Sequence, residues 1–578
     1  MNHLINVYSL LSIKEKKKLV VVFFLMLCVM LFEMASIAYL IPLVDLFSST
    51  QDNNYIANYL HKFLTIDNPI EVITYALIIY AFIFLFKNLM SLLLFWVQAR
   101  FSNLLKARMS KDLMIYYIRK PYEFHINNNS SELIRNAFSE VGTVVGAGIQ
   151  PILQIMTESL VIIGLLVILI SVEPTGTLIA MIIAASGMYL IFHFLKTYLY
   201  RWGRDREYHD GKRIKHIQQS ISSVKDIKIF GGESEFISQY HYHNLQAVFS
   251  TIKQSSIQQL PRLIIESLMV LLIVIYITKM VYSGSSVKDM SSVIAVFAVS
   301  ALRLMPSANR IITALQSIRY GMPVLETIYS DLNDYKNNYL LEEVGNGNET
   351  KSLKFNKEIS IRNLSYSYLS DERQVVLSNV TLTINKGDRI AIIGKSGSGK
   401  STLINIILGL LDQSSGSIKV DGVDIRPVIS LWRKKLSYVP QDIFLLDDTI
   451  ARNIAFGIDV DDIDYDRIRT VIKQSQLQDV IEQLPKKIDT MVGERGIRFS
   501  GGQKQRIGLA RALYHNPEIL ILDEATSSLD IGTEKNIMSS IYDLDQNLTI
   551  IIVTHRESTI YGCNKVISLE NGMVRTSK

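Results

Sequence analysis

The segment Gly394–Ser401 carries the strongest chemical signal in the chain. It reads Gly-Lys-Ser-Gly-Ser-Gly-Lys-Ser, which fits the phosphate-binding loop pattern G-x-x-x-x-G-K-[ST] in full. The apolar run Arg389–Ile393 before it predicts a strand, and Thr402–Leu411 after it predicts an amphipathic helix. Such glycines let backbone N–H groups surround phosphates, and a helix N-terminus adds a favourable field. The pattern therefore predicts a nucleoside triphosphate site.

Two side chains of this loop have predicted chemical roles. Lys400 is expected to neutralise the β- and γ-phosphates, and the Ser401 hydroxyl to ligate Mg²⁺. The residues predicted to contact the nucleotide in this segment are Gly394, Lys395, Ser396, Gly397, Ser398, Gly399, Lys400, Ser401 and Thr402.

Two carboxylates end an apolar strand further along the chain. Ile519–Leu522 predicts the strand, and Asp523 and Glu524 follow it directly. Asp523 is predicted to hold Mg²⁺ through water, and Glu524 to polarise the water that attacks the γ-phosphate. An apolar strand that ends in Asp-Glu is common on its own. Together with the upstream phosphate loop, it indicates a nucleotide-hydrolysing site.

The segment Phe499–Gln503 lies between these motifs and precedes a predicted helix. Its sequence, Phe-Ser-Gly-Gly-Gln, resembles the signature of ABC ATPases, Leu-Ser-Gly-Gly-Gln, and departs from it only at Phe499. We expect this departure to alter packing more than phosphate contact. The resemblance implies that the motif serves the nucleotide held by a second subunit, so that two chains enclose two ATP molecules. The predicted contacts are Ser500, Gly501, Gly502 and Gln503.

Further features of the ABC family occur in the expected order, and the resemblance assigns a role to each. It implies that Tyr368 stacks on adenine, that Gln441 touches Mg²⁺, and that His555 contacts the γ-phosphate. Gly493–Gly496 resembles the exporter coupling segment, and Ser527–Asp530 resembles a loop at the subunit contact. The catalytic residues implied are Glu524, His555 and Gln441. The metal ligands implied are Ser401, Gln441 and Asp523.

Long apolar runs fill the first half of the chain. Hydrophobic residues make up 48% of the 578 residues and charged residues 20%, and the mean hydropathy is +0.22. A membrane-spanning helix needs about 20 mostly apolar residues. The runs that meet this requirement are Leu19–Leu43, Ile70–Val97, Ile149–Val172, Thr175–Phe194, Leu263–Tyr282 and Ser291–Ile312. We therefore predict six spans.

The charges of the loops predict the orientation of these spans. Basic residues cluster in the N-terminal tail and in the loops after spans two and four, whereas each of the other loops has at most one. The positive-inside rule therefore places both termini and the ATP domain in the cytoplasm. The net charge of +6 reflects these loops and gives no reason to expect a nucleic acid partner. The outer loop Asp52–Asp67 has one apolar face, which fits either a helix on the membrane surface or a loop helix packed on the spans.

These patterns give an expected fold class and domain order. We expect an α-helical six-span transmembrane domain of the ABC exporter fold (type I, also called type IV), fused to an α/β P-loop ABC ATPase domain. The membrane domain would cover residues 1–335, a linker 336–352, and the nucleotide-binding domain 353–578. The helices of the membrane domain would continue into the cytoplasm and turn near Pro121–Asn129 and Lys228–Glu235.

Basic residues within or beside the spans indicate the charge of the cargo, because ionisable groups are costly in a membrane. The candidate substrate residues are Lys87, Arg262, Arg303 and Arg310. If they share a cavity, an anionic cargo such as a phosphate or pyrophosphate would suit them. The alternative is that Glu33, Glu158 and Glu266 pair with them, or that some only extend to the cytoplasmic interface.

A resemblance narrows the cargo further. Arg303–Ile312, together with Ala99–Ser102 and the order of the outer-loop helix and spans, resembles the bacterial lipid-linked oligosaccharide flippases of protein N-glycosylation. That family moves a polyprenyl-diphosphate-linked glycan from the cytoplasmic to the outer leaflet. The resemblance implies an ATP- and Mg²⁺-dependent flippase in a bacterial inner membrane. The basic residues by themselves fit any anionic lipid.

Other functions and assemblies stay open at this point. The chain could export a different amphiphile, such as a lipid A-type glycolipid, a drug or a peptide. It could also be a regulatory membrane protein that ATP gates without transport. One phosphate loop and six spans make half a transporter, so a homodimer is the simplest assembly and a heterodimer is the alternative.

Overall fold

Helices make up the N-terminal part of the protein. The computed structural model describes residues 9–48, 69–172, 174–282, 287–338, 353–368, 375–525, 530–544 and 546–577. The α-helices before residue 339 are α1 (Ile13–Ser48), α2 (Pro69–Arg119), α3 (Tyr122–Asn127), α4 (Ser130–Arg135), α5 (Val141–Val144), α6 (Gln150–Val172), α7 (Pro174–Ser222), α8 (Val224–Phe230), α9 (Glu233–Tyr282) and α10 (Val287–Asn338). Two π-helical segments, Asn136–Glu140 and Val145–Ile149, flank α5.

The six predicted spans coincide with the six long helices α1, α2, α6, α7, α9 and α10. Large apolar side chains such as Phe24, Phe82 and Leu85 are exposed on these helices, as expected for surfaces that face lipid. Within the described part of the chain, three stretches are long and apolar enough to cross a membrane by length and composition. These are Ile13–Leu40, Ile70–Arg119 and Ser130–Ser171. Several side chains of the predicted spans Thr175–Phe194, Leu263–Tyr282 and Ser291–Ile312 lie outside the described residues.

The long helices continue past the predicted spans and turn where breakers occur. Helix α2 ends at Arg119, and α8 ends at Phe230, after which Gly231 takes the left-handed conformation with φ of 65°. Both turns fall in the predicted places. The last long helix ends at Asn338. The outer loop Asp52–Asp67 and residues 339–352 of the predicted linker lie outside the described residues.

The chain divides into two compact units, with a main-chain boundary between Gly347 and Asn348. The C-terminal unit contains two β-sheets. Its strands are β1 (Glu358–Ser367), β2 (Val375–Asn385), β3 (Arg389–Ile393), β4 (Ser415–Val420), β5 (Val423–Asp424), β6 (Leu436–Val439), β7 (Ile519–Asp523), β8 (Thr549–Val553), β9 (Lys565–Glu570) and β10 (Met573–Ser577). Its α-helices are α11 (Lys400–Ile407), α12 (Ile429–Arg433), α13 (Ile450–Ile454), α14 (Tyr465–Gln474), α15 (Gln478–Glu482), α16 (Gly501–Tyr514), α17 (Ile531–Tyr542) and α18 (Glu557–Ile560).

The larger sheet has the strand order β10-β9-β3-β8-β7-β6. Strands β9, β3, β8, β7 and β6 run parallel, and β10 closes one edge antiparallel to β9. The smaller sheet, β2-β1-β4-β5, is antiparallel. Every side chain of β7 and β8 is buried, which explains why their sequences are continuously apolar. Parallel strands put their carboxyl ends at one edge, and this edge is where the predicted chemical residues follow β3, β6, β7 and β8.

Candidate functional site

The phosphate loop joins β3 to α11 in a backbone conformation that requires glycine. Gly394 has φ of 156°, and a Cβ atom there would lie 2.3 Å from the carbonyl oxygen of Leu569. Gly399 has φ of 99°, and its Cβ atom would lie 2.8 Å from a methyl group of Leu377. Any larger residue would push the loop away from the sheet. The two glycines thus bring the backbone of the loop close to the start of α11, where backbone N–H groups form a site that suits an anion.

Lys400 is buried and bends back over the loop that precedes it. Its Nζ donates to the carbonyl oxygens of Gly394 at 2.7 Å and Lys395 at 3.0 Å. The Ser398 hydroxyl is buried as well and has no hydrogen-bond partner among the described residues. Tyr368 lies beside the first turn of α11, with its hydroxyl 3.3 Å from the Thr402 hydroxyl. A positive charge and an unpaired hydroxyl inside a glycine loop fit a polyphosphate.

Glu524 lies directly after β7, between the residues that follow β6 and β8. The Gln441 side-chain amide, just beyond β6, donates from Nε2 to Glu524 Oε2 at 2.7 Å. His555, just beyond β8, places its Nε2 3.4 Å from Glu524 Oε1. Glu524 has φ of 49°, which is strained for a residue with a side chain, and its N–H donates to Val553 O at 3.0 Å. The structure thus brings together the three residues predicted to be catalytic.

Asp523 ends β7 and is buried. The Tyr438 hydroxyl donates to Asp523 Oδ2 at 3.2 Å. Burial raises the pKa of the Asp523 carboxyl, while the hydrogen bond from Tyr438 and the charge of Lys400 act in the opposite direction. Sequence reasoning assigned no role to Tyr438. Its contact with Asp523 depends on β6 lying beside β7, which the sequence does not specify.

The chemistry of the predicted metal ligands fits Mg²⁺. Ser401 supplies a hydroxyl, Asp523 a carboxylate and Gln441 an amide, and hard oxygen donors of this kind are what Mg²⁺ prefers. The nitrogen of the Gln441 amide is engaged with Glu524, which leaves its oxygen to act as a ligand.

The signature-like segment forms the capped start of α16. The Ser500 hydroxyl accepts from the Gln503 N–H at 3.3 Å, and the Gln503 side chain accepts from the Ser500 N–H at 2.9 Å, which is a complete capping box. Gly501 and Gly502 follow without side chains that would cover the helix end. Phe499 is buried in an apolar cluster, as expected for a change that affects packing. Of the predicted segment Ser527–Asp530, only Asp530 lies within the described residues, and it caps α17 through the Thr533 N–H.

A cavity of about 790 Å³ lies among helices α1, α2, α6 and α10 of the N-terminal unit. Seven of its lining residues are charged or carry amides: Glu33, Lys87, Gln98, Gln150, Gln154, Glu158 and Arg310. Apolar side chains such as Phe95 and Val161 complete the lining. The size and the mixed lining are typical of small-molecule sites.

Both cations of this cavity are paired with carboxylates. Lys87 Nζ lies 3.4 Å from Glu33 Oε2, and both side chains are buried. Arg310 binds Glu158 with two contacts, Nε to Oε1 at 2.5 Å and Nη2 to Oε2 at 3.1 Å. The charged residues that line the cavity therefore cancel one another.

Neither of the other two candidate substrate residues is among the described lining residues of the cavity. Arg262 is exposed on α9, donates to Glu266 Oε1 at 2.8 Å one turn away, and is not among the residues that line this cavity. Arg303 belongs to α10, and its side chain lies outside the described residues. Each of the three glutamates proposed as alternative partners thus pairs with one of the basic residues.

Comparison with known proteins decides the family. The family described as ABC transporter matches residues 377–527, and the family described as ABC transporter transmembrane region matches residues 19–305. An ATP-dependent lipid A-core flippase of Saccharophagus degradans is 30% identical over 465 residues, covering 80% of this chain and 76% of the relative. The chain belongs to the ABC transporter family.

Other comparisons of this ABC transporter agree on the architecture. An ATP-dependent lipid A-core flippase of Hahella chejuensis is 29% identical over 490 residues, covering 83% of this chain and 80% of the relative. The structure of a bacterial Atm1-family ABC exporter with ATP bound superposes with a TM-score of 0.82 at 23% identity, covering 97% of this chain and 95% of the other. The predicted fold class is confirmed.

The family assigns the activity at a coarse level. The chain is an ABC exporter half-transporter, with a membrane-spanning region and one ATP-binding domain, and it couples ATP hydrolysis to transport. The relatives compared above are named lipid A-core flippases. Those names correspond to the lipid A-type cargo that the sequence left as an alternative, and not to the polyprenyl-diphosphate-linked glycan of the N-glycosylation flippases.

Proposed function

We propose that this ABC exporter moves an anionic glycolipid of the lipid A type from the inner to the outer leaflet of a bacterial inner membrane. The observation that carries the proposal is the similarity to bacterial lipid A-core flippases over about four-fifths of the chain. The polar cavity among α1, α2, α6 and α10 supports it, because a head group needs a polar environment at membrane depth.

A polyprenyl-diphosphate-linked oligosaccharide is the second candidate cargo. The observation that favours it is the segment Arg303–Ile312, which resembles the corresponding stretch of the oligosaccharide flippases. The two candidates share an anionic phosphate, a saccharide and long apolar chains. Arg310 could bind the phosphate of either cargo. Its Nε and Nη2 bind Glu158, which leaves the two Nη1 donors for the phosphate. Lys87 and Arg303 stay in the proposal as further contacts to the phosphate in the cavity, and Arg262 stays as a contact outside its described lining.

The geometry at the sheet edge supports a hydrolytic role for Glu524. Its carboxylate is oriented by Gln441 and lies beside His555, so it is placed to accept a proton from the attacking water. Residues 394–402 would cradle the phosphates, Tyr368 would stack on the adenine, and His555 would contact the γ-phosphate. Ser401, Gln441 and Asp523 would hold Mg²⁺, which when bound neutralises charge on the phosphates.

A homodimer is part of the proposal. The capped end of α16, with Ser500, Gly501, Gly502 and Gln503, offers N–H groups to an anion, as the phosphate loop does. Two copies arranged head to tail would let each signature segment complete the other copy's nucleotide site, so neither site would be complete in one chain. Both termini and the ATPase domain would lie in the cytoplasm, where the basic loops are expected.

The test of the cargo is reconstitution of the purified full-length chain in proteoliposomes. One set receives a fluorescent lipid A-type glycolipid and a second set a fluorescent polyprenyl-diphosphate oligosaccharide. ATP-dependent change in access of a membrane-impermeant quencher reports movement, and Glu524→Gln protein is the control. Movement of the first lipid supports the leading proposal, and movement of only the second lipid supports the alternative. Robust ATPase activity with movement of neither would refute both.

A further inference from the structure

The cavity of the membrane unit contains two amides whose hydrogen-bonding groups are not used within the protein. Gln150 and Gln154 lie one turn apart on α6 and both line the cavity. Among the described residues, neither side chain has a hydrogen-bond partner. A third amide, Gln98, donates to the Thr157 hydroxyl at 3.1 Å and is thus partly satisfied. Besides the Nη1 donors of Arg310, the unused hydrogen-bonding groups of the described lining therefore lie on Gln150 and Gln154.

The charged groups that line the cavity are paired with one another, unlike the two amides. Lys87 and Arg310 are balanced by Glu33 and Glu158, so the charges of the described lining residues sum to zero. A neutral cavity has little long-range attraction for an anion. The cargo must therefore gain part of its binding free energy from groups other than phosphate.

The amides are placed to reach the part of a head group next to a phosphate. Gln154 precedes Glu158 by one helical turn, and Glu158 holds Arg310. From Gln150 to Glu158 the helix rises by about 12 Å. A phosphate at Arg310 would therefore leave the adjoining sugar units beside the two glutamines. Phe95, exposed on the cavity wall, offers an aromatic face to the C–H side of a sugar ring.

We propose that Gln150 and Gln154 donate and accept hydrogen bonds with hydroxyl groups of the cargo's saccharide, and that they select glycosylated lipids over lipid phosphates without sugar. Each amide carries two donors and one acceptor oxygen, which matches vicinal hydroxyl groups. A site built to hydrogen-bond hydroxyl groups rejects analogues that lack them, because its own polar groups are then left unpaired. The inference rests on the proposed function as a lipid exporter, and it applies to both candidate cargoes because both carry a saccharide.

The experiment compares two matched pairs of lipids on the full-length protein in proteoliposomes. The first pair is undecaprenyl diphosphate with and without a disaccharide of N-acetylglucosamine. The second is a lipid A disaccharide and a phosphatidic acid with the same acyl chains. The measurement is the lipid concentration that half-maximally stimulates ATPase activity. We expect the unmodified protein to prefer the sugar-bearing member of at least one pair by tenfold or more, and the responding pair identifies the lipid class.

The decisive variant is Gln150→Leu/Gln154→Leu, which removes the amides and keeps the side chains close in size. It should reduce the preference from tenfold or more to within about twofold, a loss of at least about fivefold or about 1 kcal/mol. The half-stimulating concentration of the sugar-free lipid should stay the same. Gln259→Leu is the matched control, since Gln259 is an exposed glutamine of α9 that is not among the cavity-lining residues, and it should keep the full preference.

The outcomes separate this inference from the proposed function. If the unmodified protein moves a glycolipid and the double variant keeps its tenfold preference, the role of the two glutamines is refuted and the exporter function stands. If no lipid stimulates the unmodified protein and none moves, the proposed function is refuted and the inference falls with it. Thermal unfolding of each variant checks folding, and Gln150→Leu alone, at an exposed position, gives a second measurement if the double variant unfolds.

Discussion

The ATP site and the membrane cavity contain the same kinds of polar residue but use them in different ways. At the sheet edge, Gln441 and Glu524 follow the neighbouring parallel strands β6 and β7 and are joined by a hydrogen bond, and Lys400 bends back over the phosphate loop. In the cavity, Lys87 and Arg310 are bound to carboxylates from other helices. The first arrangement serves one reaction on a fixed ligand. The second balances the described charges at membrane depth, so that recognition of the cargo would use uncharged groups as well as the remaining donors of Arg310.

The largest expected effect tests the ATP site. Glu524→Gln removes the carboxylate that would accept the proton of the attacking water but keeps the side-chain volume. We expect ATPase activity to fall by about 100-fold or more, with ATP retained by the protein. The measurement is phosphate release, together with retention of radiolabelled ATP after gel filtration. Asp543→Asn, at an exposed acidic residue of the same domain, is the control and should change neither. Unimpaired turnover of Glu524→Gln would contradict the assigned role.

The second effect tests whether charge pairing holds the membrane unit together. Lys87→Met removes the cationic partner of the buried Glu33. Removing one member of a buried pair destabilises a protein by about 3 kcal/mol, whereas replacing both members costs much less. The thermal unfolding midpoint in detergent should fall for Lys87→Met and recover in Lys87→Met/Glu33→Gln. A Lys87→Met midpoint equal to that of the unmodified protein would show that the pair has no stabilising role.

The third effect tests the paired arginine. Arg310→Ala should lower the amount of lipid moved per ATP hydrolysed by roughly tenfold, because hydrogen bonds from a guanidinium to a phosphate are lost. Arg310→Ala/Glu158→Gln is the matched variant, since it also removes the carboxylate that the single change leaves without this partner. The measurement combines the quencher assay with phosphate release on the same vesicles. If ATPase activity and lipid movement fall in parallel in both variants, Arg310 has a structural role only.

The smallest expected effect concerns Tyr438. Burial raises the pKa of the Asp523 carboxyl, and the hydrogen bond from the Tyr438 hydroxyl offsets part of this rise. Tyr438→Phe should therefore raise the pKa of Asp523, so that the carboxylate is protonated at a higher pH. The acid limb of the ATPase profile should move to higher pH by less than one unit. Tyr514→Phe, at a tyrosine whose hydroxyl accepts from the Asp464 N–H, is the control and should leave the profile in place. A shift to lower pH would contradict the proposed link.

The ATP site was largely predictable because its chemistry lies in contiguous segments. Residues 394–401, Asp523 and His555 each follow an apolar strand, and parallel strands place such ends together. The hydrogen bond from Tyr438 to Asp523 was not predictable, since it depends on which strand neighbours β7. The capping box at Ser500 and Gln503 follows a local pattern that sequence does reveal.

The membrane cavity was less predictable for a physical reason. The pair Arg262–Glu266 is four residues apart on one helix, so the sequence indicated it. The pair Arg310–Glu158 joins residues 152 positions apart, and it depends on how two helices are rotated against each other. The sequence therefore left pairing and cargo contact as alternatives. Gln150 and Gln154 were missed, although two amides four residues apart in an apolar helix were a readable signal.

The π-helical segment Val145–Ile149 lies directly before Gln150 and interrupts the regular α-helical winding just before α6. A π-helical turn holds about one residue more than an α-helical turn, and one residue corresponds to a rotation of about 100°. The wider π-helical turn therefore absorbs the extra residue, and deleting one residue here would restore regular winding while leaving the glutamine face of α6 close to its present orientation. A deletion within the regular winding of α6 would instead turn the residues that follow it by about 100°. The segment Val145–Ile149 is thus a place where the chain can gain or lose one residue while the polar side chains of the cavity keep their orientation.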